Sequence, residues 1–353
     1  MKISDLICRL ETVRELSPDQ WIDLFGQWQA ERDPSILALI CERARLTKEK
    51  IFGNKVYIRG LIEFTNYCRN DCYYCGLRKS NRETDRYRLD ESTILSCCEK
   101  GYELGFRTFV LQGGEDPFFT ADRLRELIRQ IRQRYPDCAI TLAVGEHDRS
   151  AYQSWFDAGA DRYLLRHETA NENHYRRLHP EPLSGQNRRE CLFHLKEIGY
   201  QTGCGIMVGS PGQTVECLAD DMVFMKTLNP HMVGIGPFIP QHATPFAGES
   251  PGTLEDTLFL LALVRLMLPA VLLPATTALG TIHPEGRELG ILGGANVVMP
   301  NLSPLNVRKK YLLYDNKICT GDEAAEALSS LKKKMSAIGC EIVMGRGDSP
   351  LVI

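Results

Sequence analysis

From Val56 onward, short apolar runs alternate along the chain with stretches whose apolar residues recur every three or four positions. The runs are VYIRGLIEF (56–64), RTFVLQ (107–112), AITLAV (139–144), RYLLR (162–166), TGCGIMV (202–208), HMVGIGPF (231–238), AVLLPA (270–275) and ANVVMP (295–300). Between them, LDESTILSCCEKGYELG (89–105), TADRLRELIRQIRQRY (120–135) and GQNRRECLFHLKEIG (185–199) read as amphipathic helices, the first and third closed by glycine. Alternation of this kind predicts parallel strands joined by crossover helices, and eight units are the number that closes a complete (β/α)8 barrel. The barrel is expected over residues 51–320. A helical extension precedes it over 1–50, where SPDQ (17–20) has the form of a capping box. A helix at 322–338 and a short EIV run form a C-terminal appendage over 321–353, packed on the barrel. A doubly wound open sheet is the alternative architecture.

One segment could be mistaken for a membrane span. Residues 257–275 are almost wholly apolar, but Arg265 interrupts them and Pro269 and Pro274 break them. A buried helix followed by a buried strand is the better reading, since a span needs about 20 continuous apolar residues.

Composition adds little until the cysteines are counted. The 353 residues carry 42 basic and 45 acidic side chains, a net charge of −3 that gives no electrostatic case for nucleic acid or an anionic membrane. There are 13 cysteines, an odd number, and the first ten residues, MKISDLICRL, do not read as a secretory signal. A reducing, cytoplasmic setting follows, and cysteines there are read first as metal ligands. Directly after the first run, YCRNDCYYCGLR places Cys68, Cys72 and Cys75 in a C-x3-C-x2-C array. Three thiolates on one loop can hold three irons of a [4Fe–4S] cube and leave the fourth open to an external chelate. Structural zinc, which wants a fourth protein ligand, and unligated thiols are the alternatives.

This array, with Tyr74 before its last cysteine, resembles the radical S-adenosylmethionine (SAM) enzymes. LQGGED supplies Gly113, Gly114 and Glu115, similar to the segment that takes the SAM amino group on its carbonyls. GIMVGSPGQT and VGIGPF resemble the segments beside the adenine. The resemblance implies one [4Fe–4S] cluster and SAM as cofactors, and reductive cleavage of SAM to a 5′-deoxyadenosyl radical inside a barrel that excludes water. Within this superfamily the similarity is greatest to the HydE family of [FeFe]-hydrogenase maturases and runs over nearly the whole chain, including YLLRHETAN, LPATTALGTI and NVVMPNLSP. Biotin synthase and methylornithine synthase are related barrels. Cys138 and Cys204 fall one position out of the register that biotin synthase uses for a second cluster, and Thr276 and Thr277 stand where its arginine would be. Some HydE proteins carry a C-terminal cluster on C-x7-C-x2-C; here Cys319 is followed by no cysteine until Cys340, so no second cluster is expected.

The same resemblance implies that Arg188 holds the SAM carboxylate, Glu168 the SAM ribose or amino region, and Arg166 the substrate. Arginine's planar fork suits a carboxylate, while a purely structural salt-bridge network is the alternative. Thr141, Thr276 and Thr277 offer hydroxyls to cofactor or substrate, and Met232 and Met299 either wall the cavity or belong to the core. Tyr311 would close the cavity, whereas Tyr314 reads better as a surface residue. His167, His179 and His283 read as neutral, hydrogen-bonded side chains, Cys97 and Cys98 as helix thiols, Lys332 to Lys334 as a solvated face, and the RGD at 346–348 as chance. The implied substrate is a small cysteine-bearing iron carbonyl/cyanide precursor of the hydrogenase diiron subsite. The implied partners are a ferredoxin or flavodoxin donor and the maturases HydG and HydF. A methylornithine-synthase-like mutase and a non-catalytic iron–sulfur carrier are the alternatives.

Overall fold

The structure is a computed structural model that describes residues 1–318 and 325–352. Three helices open the chain: α1 (Ile3–Val13), α2 (Pro18–Glu31) and α3 (Pro34–Phe52). The capping box of α2 forms: Ser17 Oγ accepts from the Gln20 amide, and the Gln20 side chain accepts from the Ser17 amide. There follow β1 (Lys55–Ile58), β2 (Gly60–Thr65), α4 (Glu91–Glu103), β3 (Thr108–Gly113), α5 (Ala121–Arg134), β4 (Ala139–Ala143), α6 (Arg149–Asp157) and β5 (Arg162–Leu164). The pattern continues with α7 (Glu172–Leu178), α8 (Gly185–Ile198), β6 (Gln201–Val208), α9 (Val215–Leu228), β7 (Met232–Pro237) and α10 (Leu254–Met267). The last elements are α11 (Thr277–Ile282), α12 (Gly286–Leu292), β8 (Val297–Val298), α13 (Leu305–Arg308), α14 (Leu328–Ala337) and β9 (Glu341–Val343).

The architecture is α/β. Strands β2 to β7 form one parallel sheet in sequence order, and β8-β1-β9 form a second parallel sheet. Isolated parallel bridges join Met232 to Leu272, Pro274 to Val297 and Leu61 to Asn301.

Four sequence expectations need correction. The first run is two strands that change partners at Arg59, because β9 occupies the edge of its lower half and β3 the edge of its upper half. The short EIV run, expected as part of an appendage packed on the barrel, is a strand hydrogen-bonded to β1. The seventh run forms only single bridges at Leu272 and Pro274; proline has no N–H to extend the ladder. The helix expected at 322–338 is α14 preceded by a short 3₁₀ turn at Ala325–Ala327, and the expected start lies outside the described residues.

The apolar segment at 257–275 begins with α10, whose residues from Thr257 to Met267 are all buried, largely against α3. Arg265 survives there because its guanidinium donates to the carbonyls of Gly294, Pro269 and Val271 and to Asn296. Among the described residues, no helix is long and apolar enough to cross a membrane. The RGD tripeptide serves the fold: Arg346 pairs with Asp161 and Asp348, and Asp348 with Arg162 at 2.6 Å, which ties the tail to the amino ends of the strands.

Candidate active site

A cavity of about 340 Å³ opens at the carboxyl ends of the strands, and Cys68, Cys72 and Cys75 all face it. Their loop follows β2 directly and is fastened on several sides. Tyr73 donates its amide to the Leu178 carbonyl, Gly76 donates to Leu313, and Arg78 grips Asp71 with two bonds of 2.8 Å. A Cβ on Gly76 would lie 2.0 Å from the Leu312 carbonyl oxygen, so only glycine lets the loop approach that segment. Burial pushes the Cys75 thiol up to about 12 and raises Cys68 and Cys72 as well. These thiols therefore keep their protons unless a metal takes the protons' place. Among the described residues, no three Cys, His, Asp or Glu side chains converge on one ion. A zinc site requires such convergence, whereas a cube takes each thiolate on a different iron, so the donor set suits the cluster.

Gly113 and Gly114 end β3 at the cavity wall, pressed onto the cluster loop. A Cβ on Gly114 would stand 2.2 Å from the Tyr67 oxygen and 2.8 Å from Cys68 Cβ. Glu115 also faces the cavity, but its carboxylate is engaged by Arg69 at 3.0 Å and by the Glu146 amide at 2.9 Å. The Tyr74 ring lies in the wall with its hydroxyl 3.2 Å from His179 Nε2.

Beyond β5, Arg166 and Glu168 enter the cavity side by side. Arg166 Nη2 lies 3.3 Å from Glu168 Oε2, within ion-pairing distance but not aligned as a hydrogen bond. Arg166 Nε and Nη2 and Glu168 Oε2 are buried without hydrogen-bond partners, as is Thr276 Oγ1, which also lines the cavity. Buried polar atoms left open in this way mark a place where a polar ligand completes the set. Glu168 also has a left-handed backbone, φ +64°, which costs a non-glycine residue about 1–3 kcal/mol. Arg188, from α8, reaches the same wall, where its Nη1 holds Glu146 at 2.6 Å and its Nε donates to the Arg166 carbonyl. Thr277, Met299 and Tyr311 line the cavity too, and the Gln112 side chain donates to the Tyr311 hydroxyl at 3.4 Å.

Two expected residues lie elsewhere. Met232 is the first residue of β7, packed with Phe52, Leu272 and Val297 and receiving Arg59 Nη1 at 2.9 Å. At about 3.3 Å per residue it sits roughly 16 Å below the strand's carboxyl end. Thr141 is in mid-strand, two residues before cavity-lining Ala143, with its hydroxyl buried and unpartnered. Tyr314, expected on the surface, is a cavity-wall residue whose hydroxyl is raised by burial. Cys138 and Cys204 are buried in the core, and Cys319 lies outside the described residues. The three histidines make local contacts: His167 with the Gly205 amide, His179 with the Tyr175 carbonyl, and His283 with the Glu285 amide.

The sequence reading missed Glu146 and the buried pair Glu63–Lys317, whose members are 2.5 Å apart and face the cavity. Glu146 follows the third run by two residues, so the strand-end rule could have found it. Nothing local announces Lys317, 254 positions from its partner.

The radical SAM superfamily model matches residues 62–225. Together with the three-cysteine loop on a parallel strand–helix fold, this match and the relatives that follow place the chain: it belongs to the radical SAM superfamily of enzymes. Within that class it is 46% identical to the [FeFe] hydrogenase maturase subunit HydE of Thermotoga maritima over 292 residues, 83% of each chain. It is 29% identical to the 3-methylornithine synthase of Methanosarcina acetivorans over 84% of this chain and 83% of that one. The crystal structure of methylornithine synthase has the same fold, with a TM-score of 0.84 at 25% identity, covering 96% of this chain and 97% of that one. Membership implies a [4Fe–4S] cluster and SAM.

Proposed function

We propose that the chain is a maturase of the HydE type, acting on a small cysteine-bearing iron carbonyl/cyanide precursor during assembly of the [FeFe]-hydrogenase diiron subsite. The observation that carries this reading is the cavity itself, lined by three cysteines together with Arg166, Glu168 and Thr276, each of which has buried polar atoms without hydrogen-bond partners. The identity to HydE supports the substrate class. When bound, the cluster and SAM supply a 5′-deoxyadenosyl radical by one-electron cleavage of a carbon–sulfur bond.

The chain's own residues do the holding. Cys68, Cys72 and Cys75 bind the cluster, and the Gly113 and Gly114 carbonyls, with Tyr74 and Glu115 beside them, take the polar end of SAM. Arg188, kept in place by Glu146, faces the SAM carboxylate, and Glu168 accepts from its amino or ribose donors. Arg166 offers its open guanidinium edge to a substrate carboxylate or cyanide, with the hydroxyls of Thr276, Thr277 and Tyr311 around it. Thr141 and Met232 act from below as supports, not as direct contacts. The segment bearing Tyr311, Tyr314 and Lys317 shields the cavity from water.

We assign this work to a complete (β/α)8 barrel over 51–320, with an extension at 1–50 and a helix and tail at 321–353. The three isolated bridges support closure between β7 and β2. The setting is cytoplasmic and the electron donor a ferredoxin or flavodoxin, with HydG and HydF as partners. A methylornithine-synthase-like mutase is favoured by the shared fold and by the lower identity of 29%. Anaerobic incubation with SAM and dithionite tests the class: 5′-deoxyadenosine well above a Cys68→Ala control is expected, and its absence leaves a cluster carrier. Co-expression with a hydrogenase, HydG and HydF tests the type, because a mutase would not yield active hydrogenase.

A further inference from the structure

Glu168 is the cavity residue with a strained backbone, and the peptides on both sides of it are held from behind the strand. Its own amide donates to the Gly205 carbonyl at 3.0 Å, and the Gly205 amide donates back to His167 Nδ1 at 3.3 Å. With Nδ1 accepting, a ring proton of His167 sits on Nε2, which faces Asp221 Oδ1 at 3.5 Å, within ion-pairing distance but not aligned as a hydrogen bond. The same oxygen of Asp221, from α9, accepts the Ala170 amide. One carboxylate oxygen thus reaches the residue before Glu168 and the second residue after it. Neither His167 nor Asp221 lines the cavity, and the two side chains are wholly buried.

A buried carboxylate is costly, and this one faces the His167 ring and a backbone amide, with no lysine or arginine paired to it among the described residues. The fold does not need it to join α9 to the sheet, where apolar Met222 and Met225 are fully buried. It accepts the Ala170 amide and lies against the His167 ring, and so braces the left-handed turn that sends the Glu168 carboxylate inward.

We propose that His167 and Asp221 are positioning residues that hold Glu168 in its strained, cavity-facing conformation and thereby set SAM affinity. This rests on the reading of Glu168 as a SAM contact. The test is equilibrium binding of SAM to cluster-loaded protein, with melting temperature and iron content measured on every variant. Glu168→Ala weakens SAM binding by about tenfold, the loss of one charge-assisted contact. Asp221→Ala and His167→Phe, which keeps a ring beside Phe224 while removing both nitrogens, each weaken it several-fold. Asp221→Asn, which retains the accepting oxygen, restores most of the affinity. In a Glu168→Ala background, neither change at 167 or 221 weakens binding further, because the residue through which they act is gone. Additive losses, or unchanged affinity in properly folded His167→Phe, overturn the positioning role. If Glu168→Ala itself binds SAM normally, the reading of Glu168 fails, and the inference fails with it. His167→Phe keeps the test decisive should Asp221→Ala not fold.

Discussion

Adding one methyl group to Gly114 should separate the segment after β3, proposed to hold SAM, from the three-cysteine loop. The Cβ would lie 2.2 Å from the Tyr67 carbonyl oxygen, 2.8 Å from Cys68 Cβ and 3.0 Å from the Tyr67 carbonyl carbon. Relaxed carbon–oxygen contacts need about 3.3 Å, so the two segments must part by roughly 1 Å. Two of the three obstacles are backbone atoms, which no rotamer change can move aside. Gly114 does not have a positive φ, so the alanine is opposed by space alone and not by backbone preference. Overpacking of this kind costs about 1–3 kcal/mol in stability. The functional loss should be larger in proportion, since a 1 Å misplacement at a reacting centre costs about a hundredfold in rate. The experiment compares Gly114→Ala with Gly26→Ala, a site with no atom within 4 Å of the new carbon. Iron content after anaerobic reconstitution, SAM affinity and 5′-deoxyadenosine yield are measured on both. Gly114→Ala should lose SAM affinity and product while the control keeps them. Full iron, normal affinity and normal product in Gly114→Ala would refute the close packing of these two segments as the basis of the site.

The buried pair Glu63–Lys317 supplies a stability prediction. Lys317→Met strands a carboxylate that is 1% exposed, so the protein should lose about 3–5 kcal/mol by denaturant titration, and Glu63→Met with Lys317→Met together should recover most of it. The low-pH limb should be set partly by His174 and His179, which burial lowers to about 4 and about 3 from 6.5. Groups held neutral in the fold bind protons more readily when unfolded, so their contribution is whole above pH 6.5 and is lost as pH falls toward those values. Each adds a slope of about 1.4 kcal/mol per pH unit over that window. His179→Gln should therefore flatten the stability curve between pH 6.5 and 4, and an unchanged slope would remove His179 from the account.

What could be read in the sequence was whatever is local. The cluster loop lies within eight residues, the two glycines adjoin a strand end, and the helices announce themselves by period and cap. Arg166 and Glu168 were found because the residues after a parallel strand face the open end of the sheet. The same rule failed for Met232 because it belongs to the residue after a run, and Met232 begins one. Glu63 shows another limit: a carboxylate in a buried strand is legible as an anomaly, but its partner lies far along the chain. The EIV run is visible in the sequence, but its place in the sheet as β9 is not, for a similar reason. Three residues carry no usable period, and their pairing with β1 depends on the chain's return over 280 positions.

The cavity's asymmetry bears on how it selects a ligand. On β6 and β7 the cavity is lined by Met207, Gly234, Gly236 and Pro237, none with a charged or hydrogen-bonding side chain, and a Cβ on Gly236 would stand 2.8 Å from the Thr276 hydroxyl. That wall can offer surface and close approach, but it has little with which to discriminate. Across from it, β2 to β5 and the segment after β8 present Glu63, Gln112, Arg166, Tyr311 and Lys317. Glu63 and Lys317 satisfy each other and Gln112 is bonded to Tyr311, which leaves Arg166 as the donor among these with open hydrogen-bonding atoms. Recognition in this cavity is therefore concentrated: a flat, permissive wall receives one face of the ligand, and an arginine with unfilled valence, flanked by the Thr276 hydroxyl, reads the other. A ligand with a single anionic end and an otherwise apolar body meets that arrangement, whereas one with charged groups at both ends would leave the second facing an apolar wall.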